Sequence, residues 1–146
     1  MTRRRVFWTL TALWLLFIWA HSFLPASVSK QESGHWLALL QHWLPWLTDH
    51  LIRKTAHFTE YAVLGALLFG AAGVRYGLWF PPCFALLAAL SDETIQLFAA
   101  GRSGQVSDVW LDLAGFLAGW LVIALSAILL KKRKPSSKSK EGKHSK

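Results

Sequence analysis

Residues 78–98 read LWFPPCFALLAALSDETIQLF, and this stretch decides the fold. Its uninterrupted apolar part, Leu78–Leu90, is 13 residues long. As a helix rising 1.5 Å per residue it would be about 20 Å long, whereas the hydrocarbon core of a bilayer is about 30 Å thick. A membrane-spanning helix must therefore continue to about Phe98. This places Asp92 and Glu93 at membrane depth rather than in a loop.

Three further apolar stretches have the length of membrane spans, namely Val6–Phe23, Ala56–Val74 and Val109–Leu130. The first follows three arginines as a cleaved signal peptide would, but its apolar part exceeds the roughly 7–15 residues of such signals. Hydrophobic residues make up 53% of the 146-residue chain, which leaves too little polar surface for a soluble domain of this length. We therefore predict an all-α membrane protein with four transmembrane helices in a bundle.

Basic residues concentrate at the two ends of the chain. Arg3–Arg5 open it, and eight of the 16 Lys and Arg residues follow Leu130. Because basic flanks stay on the cytoplasmic side, four spans give cytoplasmic N and C termini. We predict a membrane domain at residues 1–130 and a disordered basic cytoplasmic tail at residues 131–146, lying against anionic lipid. The location expected from this topology is a cytoplasmic membrane, with several passes.

The same composition excludes two classes of function. No folded basic face carries the positive charges, so nucleic acid is not an expected partner. The single cysteine, Cys83, allows neither an internal disulfide nor a cysteine-based metal site.

The first outer loop contains a second helical pattern. Residues Trp36–Ile52 include His42, Pro45 and Asp49, so the segment is too polar to be a fifth span. We predict an amphipathic helix in the outer interface, kinked at Pro45. Its apolar face repeats at helical spacing and consists of Trp36, Leu37, Leu40, Trp43, Leu44 and Leu47.

The ionisable residues of the last three spans fall at one level. The start of span two, the end of span three and the start of span four all lie on the outer side in this topology. Below Asp108 and Asp112, the pair Gly115-x-x-x-Gly119 continues the same stripe and lets another helix backbone approach closely. We therefore predict a polar pocket open to the outer leaflet, with the binding residues Arg53, Lys54, His57, Glu60, Tyr61, Asp92, Glu93, Gln96, Arg102, Asp108 and Asp112.

Five of these residues are carboxylates, and they cannot all be ionised and unpaired at this depth. They must pair with Arg102, Arg53, Lys54 or His57, hold protons, or bind a cation. An interhelical polar network that only fixes the bundle is the alternative to a pocket.

These residues resemble the VanZ-like family. The matching pattern is Arg53-Lys54-x-x-His57-Phe58-x-Glu60-Tyr61, then Ser91-Asp92-Glu93-x-x-Gln96-x-Phe98-x-x-Gly101-Arg102, then Asp108, Gly115 and Gly119. Members of that family are small multi-helix membrane proteins, and the founding type is linked to teicoplanin resistance. The resemblance implies a function at the outer face, touching the bacterial envelope or its sensitivity to glycopeptides. It names no reaction and no cofactor.

Two main hypotheses and two lesser ones follow. In the first, the pocket binds a lipid-linked cell-wall precursor, a phospholipid head group or the lipid tail of a glycopeptide. Arg102 with Arg53 or Lys54 would hold phosphate, and the interfacial Trp face would hold the acyl chain.

In the second, the protein is an enzyme acting on such a lipid. The catalytic candidates are His57 as general base, Glu60 as its orienting group, and Asp92 or Glu93 as acid. His57 and the acidic residues would also suit a divalent cation, but their spacing matches no established motif, so we assign no metal site and no cofactor.

A proton or cation path is disfavoured, because no ionisable residue continues toward the inner face in residues 62–74, 78–90 or 113–130. A structural or partner-binding helix bundle is the remaining alternative.

Overall fold

In the computed structural model, the described residues are 2–133, and they contain five α-helices and no strand. The all-helical prediction is confirmed. Most of the predicted disordered tail, residues 134–146, lies outside the described residues, but Lys131, Lys132 and Arg133 still belong to the last helix. The helices are α1 (Arg3–Ser22), α2 (Ala26–Leu40), α3 (Asp49–Ala72), α4 (Phe80–Gln96) and α5 (Val106–Arg133).

Local sequence explains where α3 and α4 begin and end. The Thr48 side chain accepts a hydrogen bond from the Leu51 backbone N–H at 3.2 Å and so caps the start of α3. Gly73 ends that helix at a φ of 58°, a conformation that glycine adopts without a steric penalty. Pro81 and Pro82 lie in the first turn of α4, where a missing N–H breaks no helical hydrogen bond.

The predicted interfacial helix at Trp36–Ile52 is wrong in its bounds. Helix α2 ends at Leu40, residues 41–48 form turns around Pro45, and Asp49 already begins α3. The physical reason is that Pro45 removes a backbone donor and disfavours helix in the residue before it. Three residues later, Thr48 offers a capped start for a new helix. A helix does lie in the first loop, but it comes earlier, at Ala26–Leu40.

Helices α3 and α5 make the most extensive contact, with α1 against α3 and α4 against α5. Close approach at glycine explains it. A Cβ on Gly115 would lie 2.4 Å from the Phe58 carbonyl oxygen, and one on Gly119 would lie 1.8 Å from that of Ala62. The predicted role of the Gly-x-x-x-Gly pair is therefore confirmed. The fully buried residues Tyr61, Leu64, Leu68, Phe116 and Ile18 fill the centre.

Large apolar side chains also cover the outside of the bundle. On α5, Leu121, Leu125 and Leu129 are each more than half exposed. Within residues 2–133, α5 is the helix that is long and apolar enough by itself to cross a membrane, and α1 and α2 reach that threshold only as a pair bent by 105°.

Candidate functional site

Three helices bring the predicted polar residues together at one end of the bundle. The Nδ1 atom of His57, on α3, lies 3.8 Å from Asp92 Oδ2 on α4 and 3.9 Å from Asp112 Oδ1 on α5. We call these three residues the buried triad. At the same end, Lys54 forms an ion pair with Asp108. The three helices thus bring these predicted residues to the same end of the bundle.

The carboxylates of the triad are sealed from solvent. Asp92 and Asp112 have 0% exposed surface, and so does Tyr61, which shares a face of α3 with His57. Both oxygens of Asp112, the Oδ1 of Asp92, the His57 Nδ1 and the Tyr61 hydroxyl have no hydrogen-bond partner among the described residues. Such atoms are rare in folded proteins, because each leaves its desolvation uncompensated.

A cationic cavity of about 170 Å³ lies over the triad. Four cationic side chains line it, together with one carboxylate, that of Asp108. His57 and Gln96 also line it, so the cavity and the triad share a wall. The four cationic residues are Lys30, Arg53, Lys54 and Arg102.

Two of these cations have carboxylate partners and two do not. Arg53 pairs with Asp49, and Lys54 pairs with Asp108. Neither Lys30 nor Arg102 has an ion-pair partner within residues 2–133. Burial lowers the pKa of the Arg102 guanidinium below its ordinary value, but a guanidinium stays charged in proteins. Two of the four cations that line the cavity are therefore left without an ion-pair partner in this part of the chain.

Glu93 and Gln96 organise the loop that closes the cavity. The Gln105 backbone N–H donates to Glu93 Oε2 at 2.7 Å, and Gln96 Nε2 donates over 3.4 Å to Asp92 Oδ2 and 3.5 Å to Glu93 Oε1. Gly104 packs against Glu93, where an added Cβ would be 3.0 Å from the Glu93 carbonyl oxygen. Glu93 therefore positions the loop that carries Arg102 and lies outside the triad.

Glu60 has a different neighbour from the one predicted. Its Oε1 lies 3.1 Å from His21 Nδ1, and the other ring nitrogen of His21 lies 3.2 Å from Glu32. Glu60 thus connects α3 to α1 and α2 and makes no hydrogen bond to His57, which it was predicted to orient. The Trp14 indole N–H fixes the same turn by donating to the Glu60 carbonyl oxygen at 2.9 Å.

Two further cavities lie beside the cationic cavity and are linked to it by shared wall residues. A middle cavity of about 320 Å³ shares Ser29, Arg53 and His57 with it. An apolar groove of about 860 Å³ then shares Trp36, Ile52, Ala56 and Glu60 with the middle cavity. Of the predicted apolar face, Trp36, Leu40, Leu44 and Leu47 line this groove, whereas Leu37 and Trp43 do not.

Sequence reasoning missed Lys30 and His50, which line the cationic cavity, and Trp46, which lines the groove. Lys30 arrives there because α2 turns back from α1 by 105° and the Ala26 N–H donates to the Ala100 carbonyl oxygen at 3.0 Å. No local pattern signals that long-range bond. The one available indication was that Lys30 is a charged residue within a predicted outer segment.

Comparison with known proteins gives one result. A family model described as VanZ/LLP1 matches residues 7–129. No curated protein and no solved structure matches the chain.

Proposed function

The chain belongs to the VanZ/LLP1 family, and from that premise we propose that it is a multi-pass protein of the bacterial cytoplasmic membrane that binds a phosphate-bearing, lipid-linked envelope component at its outer face. In this proposal α1, α3, α4 and α5 cross the bilayer and both termini are cytoplasmic. The exposed apolar surface of α5 and the basic Arg3–Arg5 support it. Altered sensitivity to glycopeptides would be a consequence of occupying the same site.

The observation that carries the proposal is the arrangement of three adjoining cavities. The cavity with two unpaired cations shares wall residues with the middle cavity, which in turn shares wall residues with a groove lined by Trp14, Phe17 and Trp36. This order of chemistry fits a molecule with an anionic head and a long apolar chain. Phosphate suits the head because the Arg102 guanidinium can donate two parallel hydrogen bonds to its oxygens.

Arg102 is expected to supply the strongest single contact with the head group. A hydrogen bond to a charged group contributes about 1.5–3 kcal/mol, so its loss should weaken binding at least about tenfold. Arg75 is the matched control, because it is an exposed arginine that lines neither the cationic cavity nor the groove.

The test uses purified protein in detergent, with chelator present, and native mass spectrometry to measure binding of a polyprenyl phosphate and of the matching polyprenol. Wild type and Arg75→Gln should prefer the phosphate form, and Arg102→Gln should lose that preference. Trp36→Ala should weaken binding of both lipids, whereas Trp110→Ala, at an exposed Trp on α5, should not. Equal affinity of wild type and Arg102→Gln for the phosphate would refute the proposal.

A second candidate function is an enzyme that acts on the same lipid phosphate. It is favoured by one observation, that His57 belongs both to the buried triad and to the wall of the cationic cavity. Hydrolysis of a lipid phosphomonoester would release inorganic phosphate. His57→Ala should then abolish phosphate release, whereas Arg102→Gln should act mainly by raising KM. If wild type binds the lipid phosphate but releases no inorganic phosphate, the protein is a binding protein and this second function is refuted.

A further inference from the structure

We propose that the buried triad, His57, Asp92 and Asp112, binds one divalent cation between α3, α4 and α5. The three potential ligand atoms all lie within 4.8 Å of one another. Around zinc, bonds of about 2.0–2.2 Å place neighbouring ligand atoms about 3.3 Å apart in a tetrahedral site. The 3.8 Å and 3.9 Å separations from His57 Nδ1 are therefore within a side-chain rotation of a binding geometry.

An independent observation points to a ligand at this position. Asp112 is fully buried, and neither of its oxygens has a hydrogen-bond partner among the described residues, although Oδ1 faces the His57 ring. Asp92 is equally buried, and its Oδ1 is also without a partner. A polar network that served only to hold the helices together would pair these atoms with one another or with donors.

No neighbouring lysine or arginine forms an ion pair with the triad. Lys54 pairs with Asp108, and Arg53 pairs with Asp49. Within residues 2–132, no lysine or arginine nitrogen is within ion-pair distance of Asp92 or Asp112. A divalent cation would balance both carboxylates at once, and metal coordination is one of the ways in which proteins stabilise buried charges.

The donor set indicates which cations fit. One imidazole nitrogen with carboxylate oxygens suits Mn²⁺ or Zn²⁺, whereas Ca²⁺ prefers six to eight oxygen ligands. Three protein ligands leave at least one coordination position open. Since His57 also lines the cationic and middle cavities, an open position would face the site proposed for the head group. The Tyr61 hydroxyl, one turn later on the same face of α3, is also buried and has no hydrogen-bond partner among the described residues.

Metal content tests the proposal directly. Full-length protein is stripped with chelator, incubated with Mn²⁺ or Zn²⁺, desalted and analysed by elemental mass spectrometry. Wild type should retain one equivalent of metal. Asp112→Asn should bind at least about 100-fold more weakly. Asp49→Asn is the matched control, because it changes the same residue type at a position that lines none of the three cavities, and it should bind like wild type. Equal binding by wild type and Asp112→Asn, or no binding by wild type, would overturn the proposal.

A measurement on wild type covers the case in which Asp112→Asn does not fold. The electron paramagnetic resonance spectrum of bound Mn²⁺ should show coupling to one histidine nitrogen, and this coupling should vanish in His57→Gln. Bound metal should also raise the melting temperature of wild type. Absence of the nitrogen coupling in wild type overturns the assignment. Because lipid binding is measured with chelator present, failure of the metal site and failure of the proposed function give different results.

Discussion

Replacing Gly119 by alanine should force α3 and α5 apart and loosen the site that these helices carry. The added Cβ would lie 1.8 Å from the Ala62 carbonyl oxygen and 2.6 Å from its carbonyl carbon. Ordinary contact requires about 3.4 Å, and both atoms belong to helix backbone, which cannot rotate away. The helices must therefore separate by more than 1 Å at this point.

The cost follows from two opposing effects. Overpacking a close contact costs up to about 3 kcal/mol, while alanine is favoured over glycine in a helix by roughly 1 kcal/mol. Gly119→Ala should thus destabilise the fold by about 2 kcal/mol. Gly34→Ala, in α2, is the control, because nothing lies within 4 Å of its Cβ position. It should be neutral or up to about 1 kcal/mol stabilising, so the two variants should differ by about 3 kcal/mol.

The assays are reversible unfolding in mixed micelles, followed by far-ultraviolet circular dichroism, and binding of Mn²⁺ to the folded protein. Outward movement of α5 carries Asp112 away from His57, from which it is now 3.9 Å distant. Displacements of this size change site function far more than they change the fold. Gly119→Ala should therefore lose stability and Mn²⁺ affinity together. Equal stability of the Gly119→Ala and Gly34→Ala variants would refute the close contact between α3 and α5.

Two further predictions concern the ends of the bundle. The first uses single cysteines in a Cys83→Ala background. Ser103→Cys should react with an impermeant thiol reagent added outside intact cells, whereas Val74→Cys, also exposed but at the opposite end of the bundle, should react only after lysis. The reverse pattern would invert the proposed orientation. A double-mutant cycle on Lys54→Ala and Asp108→Ala, measured by unfolding in micelles, should give a coupling energy of about 1 kcal/mol, between the values for exposed and buried ion pairs, and additive effects would contradict a direct pair.

The sequence predicted a helix best where the length of an apolar stretch alone determines its bounds. The four long helices lie at the predicted spans to within a few residues, except that α3 begins seven residues early, at Asp49. That shift has a local cause, because Pro45 breaks the preceding segment and Thr48 caps a new helix. The polarity of His42 and Asp49 argued against a span in residues 36–52, and so the start of α3 at Asp49 was not predicted.

The sequence singled out most of the residues that meet at this end of the bundle, but only part of their arrangement. Burial of Asp92 follows from the short apolar run before it, and burial of Asp112 follows from the glycine stripe below it. The meeting of His57 with both aspartates depends on the rotation of three separate helices, which no spacing along the chain encodes. Lys30 depends on the sharp bend between α1 and α2, which is equally invisible to periodicity.

The apolar groove has a consequence for how affinity should be expressed. It is lined by side chains such as Phe17 and Leu40 that are themselves exposed on the flank of the bundle. In the proposed function, a lipid would therefore enter sideways, without leaving the leaflet. Encounter is then diffusion in two dimensions, and the quantity that sets occupancy is the mole fraction of ligand in the leaflet. A lipid present as one molecule in a thousand could fill the site although its aqueous concentration is negligible.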